Sequence, residues 1–165
     1  MRLNKPLVAA IDHFAIGLGL QVALQADWRV ASARASLSMP ELRHGIGCPL
    51  GAVILEALLG RAAMVRLVVG CEALGAERAL SVGLVDEVVG PDGLVEHALK
   101  KAAEFGAYPA LPYRRTKQAQ NARMIAQLEA ARQLVIDVHI ECLLARSSEA
   151  HFLNVLGRGP AGGAP

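Results

Sequence analysis

Between Pro6 and Gly51, short apolar runs flank a helical run opened by glycines, and this alternation limits the folds open to the chain. PLVAAID, residues 6–12, is apolar and follows Lys5–Pro6, which suits a buried strand. HFAIG reads as a turn leading to G-x-G at Gly17 and Gly19. Residues 18–26 are good helix formers with few β-branched interruptions. WRVAS (28–32) and SLSM (36–39) predict two short strands joined by a tight link. Pro40 ends the second strand, and PELRHGIGCPLG is a loop with a glycine or proline every few residues. The order is strand, glycine turn, helix, strand, strand, Pro-Glu loop, an α/β arrangement.

Downstream, Gly51 opens the apolar helix AVILEALLG, which stops at Gly60. RAAMVRLVVG is a second helix that stops at Gly70. GAERALSVG is a short third helix with a glycine end, followed by a strand over 84–89. Asp92 is placed to cap a helix running to about residue 105. The remainder is helical, with 124–145 the longest candidate. Met124, Leu128, Ala131, Val135, Val138 and Cys142 recur at spacings of four and three on it, a heptad-like seam. Two readings of that seam stay open: packing on the helix's own domain, or on a partner subunit. The tail GRGPAGGAP is rich in glycine and proline and reads as disordered. The expected organisation is a core over 1–106, a helical region over 107–156 and a tail over 157–165.

Composition narrows the function classes. The chain has 165 residues, enough for one domain, and 53% are hydrophobic. With 17 basic and 15 acidic residues the net charge is +2, and aromatics are 4%. Neither feature argues for nucleic acid or a membrane surface. Asp12, Gln21, Gln25 and Asp27 interrupt the best apolar run, so no membrane span is expected. No signal-peptide pattern opens the chain. Cys48, Cys71 and Cys142 lack metal or disulfide spacing. The expectation is a cytoplasmic protein with no metal, and the apolar excess suggests that part of its surface is covered by another chain.

The chemistry centres on the glycine turn. A helix N-terminus offers unpaired N–H groups and the positive end of a dipole, which can hold an oxyanion. Leu18 is the donor at that place. The block KPLVAAIDHFAIGLGLQVALQADWRVASARASLSMPELRHGIG resembles the centre of the enoyl-CoA hydratase/isomerase (crotonase) family, and GRAAMVRLVVGCEALGAERALSVGLVDEVV is similar to that family's next conserved stretch. The match runs from Lys5 to Val89 without long gaps.

The resemblance implies a spiral of ββα units, a trimer or hexamer, and acyl-CoA thioester chemistry. Coenzyme A enters as part of the substrate and no other cofactor is implied. Leu18 matches the second backbone donor to the thioester enolate. Glu41 matches the glutamate that shuttles the proton. Gln21 stands where hydratases carry a second glutamate, and an amide cannot titrate. Hydration uses two carboxylates, whereas a single acid suits moving a double bond. The resemblance covers the later part of a crotonase, so an N-terminally truncated chain is expected. GIGCPLGA also replaces the family's I-P-G-x-G-G, with one extra residue before Pro49.

The readings carried forward are a single-glutamate isomerase, a 2-enoyl-CoA hydratase in which Gln21 orients water, and a non-catalytic interaction module. Other residues rank below these. His13, His44, His97, His139 and His151 are scattered without metal spacing. His44 lies on the same loop as Glu41. Cys48 shows no adjacent base. Arg114, Arg115 and Lys117 form a basic cluster, read either as a solvated helix face or as a contact for a CoA phosphate.

Overall fold

The computed structural model describes residues 3–157. Two small sheets are interleaved along the chain. β1 (Val8–Ile11), β3 (Trp28–Ser32) and β6 (Glu87–Val89) form one, in the order β1-β3-β6 with parallel pairing throughout. β2 (Phe14–Ile16), β4 (Ser36–Ser38) and β5 (Leu74–Gly75) form the other, with β2 parallel and β5 antiparallel to β4. The chain thus passes from the first sheet to the second twice in succession, at β1–β2 and at β3–β4. Each passage is a tight corner. Ser36 donates its N–H to the His13 carbonyl at 2.7 Å, and the Ser32 hydroxyl bonds the Asp12 carbonyl.

The strand reading of residues 6–12 and 28–32 matches β1 and β3. HFAIG, expected as a turn, instead contains β2, because its backbone pairs with Ser36–Ser38. The expected strand over 84–89 pairs only from Glu87. Leu84 and Val85 both donate to the Ala79 carbonyl, at 2.8 and 3.4 Å, so their N–H groups finish the preceding helix instead of joining a ladder.

The helices are α1 (Leu18–Ala23), α2 (Pro49–Met64), α3 (Ala76–Ser81), α4 (Leu94–Gly106), α5 (Ala110–Leu144) and α6 (Glu149–Val155). α2 starts at Pro49 rather than Gly51, using the fixed φ of proline at the first helical position. Gly60, at φ 81° and ψ 170°, breaks it where the glycine predicted a stop. The following turns run through a π-helical stretch, Val65–Val69, to Gly70. Asp92 does not cap α4. It is taken up in a 3-10 turn, Pro91–Gly93, and Gly93 is the N-cap without a side-chain bond.

The main core gathers Leu20, Leu24, Leu37, Met39, Leu55, Leu67, Leu84 and Val85 between the second sheet and helices α1–α3. α4 covers the other sheet through Leu94 and Ala98 on Val30. Glu87 ties them: its carboxylate accepts from Trp28 Nε1 at 2.9 Å, pairs with Lys101 at 3.1 Å and meets the His97 ring.

Residues 110–144 form one uninterrupted helix of 35 residues. The seam on α5 faces its own chain. Met124 is buried, Leu128 packs against the main core, and Val138 and Cys142 lie over Gly47. This chain's own loop and α2 take up Met124, Leu128, Val138 and Cys142, as the own-domain reading of that seam expects, while Leu128 and Val135 also line an open surface pocket. The disordered-tail expectation over 158–165 lies outside the described residues.

Candidate functional site

Gly17 sits at φ 55° and ψ −121°, backbone that an L side chain rarely adopts. It ends β2 by donating its N–H to the Ser38 carbonyl at 2.9 Å and accepts the Gln21 N–H at 3.0 Å, which begins α1. Leu18 is the first residue of α1. Its side chain points to solvent, 68% exposed, while its N–H belongs to the first turn, where no carbonyl stands behind it. The same turn buries Gln21.

β4 delivers Met39 into the core, and Pro40 leads to a 3-10 turn, Glu41–His44. Glu41 opens that turn and reaches back across Gly17. A Cβ on Gly17 would lie 3.1 Å from Glu41 Oε1, a tight approach that would press on the carboxylate in addition to the strain set by φ. Gln21 Nε2 donates to Glu41 Oε1 at 3.0 Å and lies 3.8 Å from Cys48 Sγ. Glu41 Oε2 is buried and has no hydrogen-bond partner among the described residues. The two oxygens are thus unlike: one is held by an amide, and the other is desolvated and unpaired.

The three residues singled out from the sequence, Leu18, Gln21 and Glu41, line one cavity of about 480 Å³. Ile16, Ile46, Cys48 and Leu50 give it apolar walls. Burial, then the charge of Glu41, pushes the Cys48 thiol up to about 12, so it is a neutral wall group. Burial lowers His44 below its ordinary value, helped by the neighbouring His151.

His139 was not distinguished from the other histidines in the sequence, yet α5 brings it to the cavity wall. Its Nδ1 meets the Val135 carbonyl at 2.6 Å. No short-range pattern joins His139 to Glu41; only the fold of α5 over Gly47 does. His13 and His97 lie elsewhere, on Asp12 and Glu87. Lys117 is 4% exposed and bonds Asp27 Oδ2 at 2.6 Å and the Lys5 carbonyl at 2.8 Å, which removes it from the phosphate-contact reading. Among the described residues no three histidine, cysteine, aspartate or glutamate side chains could hold a metal ion.

A family model described as enoyl-CoA hydratase/isomerase matches residues 1–152. The chain belongs to the enoyl-CoA hydratase/isomerase family. Carboxymethylproline synthase from Pectobacterium carotovorum subsp. carotovorum is 40% identical over 158 residues, covering 96% of this chain and 63% of that protein. Short-chain-enoyl-CoA hydratase from Clostridium acetobutylicum is 31% identical over 141 residues, covering 85% of this chain and 54% of that protein. The chain therefore spans less than two-thirds of the length of these curated relatives. Among solved structures, an enoyl-CoA hydratase from Mycobacterium avium subsp. paratuberculosis K-10 superposes with a TM-score of 0.87 at 27% identity, over 99% of this chain and 67% of that one. ThnE from S. clavuligerus gives 0.78 at 42% identity, over 80% and 67%. The crotonase fold expected from the motifs is the fold observed.

Proposed function

We propose that this chain supplies the proton-transfer side of a crotonase-family site acting on an acyl-CoA thioester. Glu41 removes a proton from the carbon beside the thioester, and the Leu18 N–H stabilises the resulting enolate oxygen. The observation that carries this is Glu41 Oε2, a buried carboxylate oxygen without a hydrogen-bond partner among the described residues, on a side chain that lines a mostly apolar cavity. Gln21 occupies the other oxygen and cannot exchange a proton at neutral pH. One titrating group that both takes and returns a proton favours double-bond isomerisation over hydration.

A second reading rests on the 40% identity with carboxymethylproline synthase. That name denotes a proline bearing a carboxymethyl arm. An enolate held at this site could deliver such an arm by closing on the carbon of a ring C=N bond, whose nitrogen takes the electron pair and a proton; hydrolysis of the thioester by water, releasing the coenzyme A thiol, then leaves the carboxymethyl arm. Both readings share the enolate and part only at the step that quenches it. In keeping with the family, we also propose that the chain self-associates.

The test offers the purified protein three reactions: exchange of the α-proton of a saturated acyl-CoA in heavy water, isomerisation of a 3-enoyl-CoA, and hydration of a 2-enoyl-CoA. Exchange and isomerisation should exceed hydration, and Glu41→Gln should lower both by about 10²–10⁴. Faster hydration than isomerisation, or an unaffected Glu41→Gln variant, overturns the single-acid reading. Exchange without isomerisation, with a new carbon–carbon bond formed to a ring-oxidised proline, selects the second. No exchange at all favours an interaction module without turnover.

A further inference from the structure

The turn that carries Glu41 is held by the far end of the chain. Ser147 Oγ donates to the Gly45 carbonyl at 2.6 Å, and its own carbonyl lies where a Cβ on Gly45 would stand, 2.0 Å away. Gly45 itself is left-handed, at φ 69°. Beyond that contact, the His151 ring of α6 stacks on His44 with centroids 3.8 Å apart and planes 30° apart. His44 closes the 3-10 turn that Glu41 opens, and both line the cavity.

We propose that His151 is a positioning residue for Glu41: its stack on His44 fastens α6 to the Glu41 turn, and protonation of the pair loosens that turn. Two neutral imidazoles stack face to face, whereas a proton on each sets two cations in face contact. Two other ionisable side chains bear on His44, and a third shares its cavity. Glu41 and Arg43 belong to its own turn and act in opposite directions, and His139 of α5 lines the same cavity. The Cys48 thiol on that cavity stays neutral. On α6, Glu149 is paired with Arg146. Burial and His151 lower His44 in the docked state. The undocked state then binds the proton more readily, so docking is fully favoured above the ordinary value of 6.5 and is lost as pH falls below it.

The device goes beyond the reading of the site, and it would stand if Glu41 moved no proton. Amide hydrogen exchange, corrected for the intrinsic rate, reads it without turnover. Protection over residues 41–48 and 145–157 should fall roughly tenfold between about pH 7.5 and about pH 5.5, while α2 and α4 keep theirs. His151→Phe keeps a ring on His44 but removes one proton site, so its loss of protection over that range should be clearly smaller than the parent's, the part due to the burial of His44 remaining. His139→Gln should behave as the parent does. Equal parental protection at both pH values, a His151→Phe variant as pH-sensitive as the parent, or loss of the pH dependence in His139→Gln would each overturn the proposal. The parental titration needs no variant, so a misfolded substitution leaves the test standing.

Discussion

Glu41 carries two carboxylate oxygens in unlike surroundings. Its Oε1 is held by an amide one helical turn beyond Gly17, and its Oε2 is buried without a hydrogen-bond partner among the described residues. That difference depends on packing around Gln21. Gly51 has no room for a side chain: a Cβ there would stand 2.5 Å from Cys48 Sγ, 2.7 Å from Met39 Sδ and 3.3 Å from Gln21 Nε2. Gly51→Ala should cost about 1–3 kcal/mol in urea unfolding, the usual toll of overpacking, and should disturb the Gln21–Glu41 bond with it. Cys48 offers a second check. With its thiol pushed up to about 12 by burial and by Glu41, almost no thiolate exists at neutral pH. Iodoacetamide should leave Cys48 unmodified in the folded protein and label it in urea, as read by mass spectrometry. At the cavity itself, Gln21→Glu would set two carboxylates in contact and should raise hydration relative to isomerisation, which the paired assays measure.

Among the elements, charged side chains decide which pieces stay together. Asp27 follows α1, and its Oδ2 accepts from Leu7 N–H at 2.8 Å, Lys117 Nζ at 2.6 Å and Tyr113 OH at 3.1 Å. One carboxylate oxygen thereby joins the segment before β1, the segment before β3 and the start of α5. Lys117→Met removes a nearly buried cation and leaves Asp27 without its charge partner. It should cost about 3 kcal/mol, seen as a lower urea midpoint. Arg29 and Asp86 do the same for β3 and the lead into β6, with a paired contact at 2.8 and 2.9 Å. At the β1–β2 corner, Asp12 is held down at about 2, chiefly by the bond from Arg34, against an ordinary value of 3.8. Because the folded value is the lower one, this pair adds stability above 3.8 and loses it as pH falls from there to about 2. Arg34→Ala should flatten the stability curve in that acid window and leave its slope near neutral pH unchanged.

For the whole molecule, the notable surface is apolar. Leu134, Leu143 and Leu144 on α5 are 57%, 69% and 78% exposed, on faces other than the buried seam. Phe14 is 73% exposed at the second sheet. Self-association would cover some of this area. Sedimentation should show an oligomer at micromolar concentration, and Leu143→Glu with Leu144→Glu should shift it toward the monomer. A clean monomer in the parent would contradict the proposal.

The local sequence was sufficient wherever the physics is local. Glycine set the breaks at Gly60 and Gly70, though α2 opens at Pro49 rather than at Gly51, and the runs at 8–11 and 28–32 became strands that bury Ile11, Val30, Ala31 and Ser32. The ordered motifs also placed Leu18, Gln21 and Glu41 together before any coordinate did. Pairing and docking were not legible in the same way. β2 looked like a turn because three residues carry no period, and only the backbone of Ser36–Ser38 makes them a strand. The seam on α5 had one apolar pattern for two possible partners, and it was Gly47, far away in the chain, that took up Val138 and Cys142. His139 at the cavity and His151 on His44 depend on the same docking. Periodicity determines which face of a helix is apolar. What lies against that face is a matter of tertiary packing, because contacts between distant segments leave no mark on the spacing of either one.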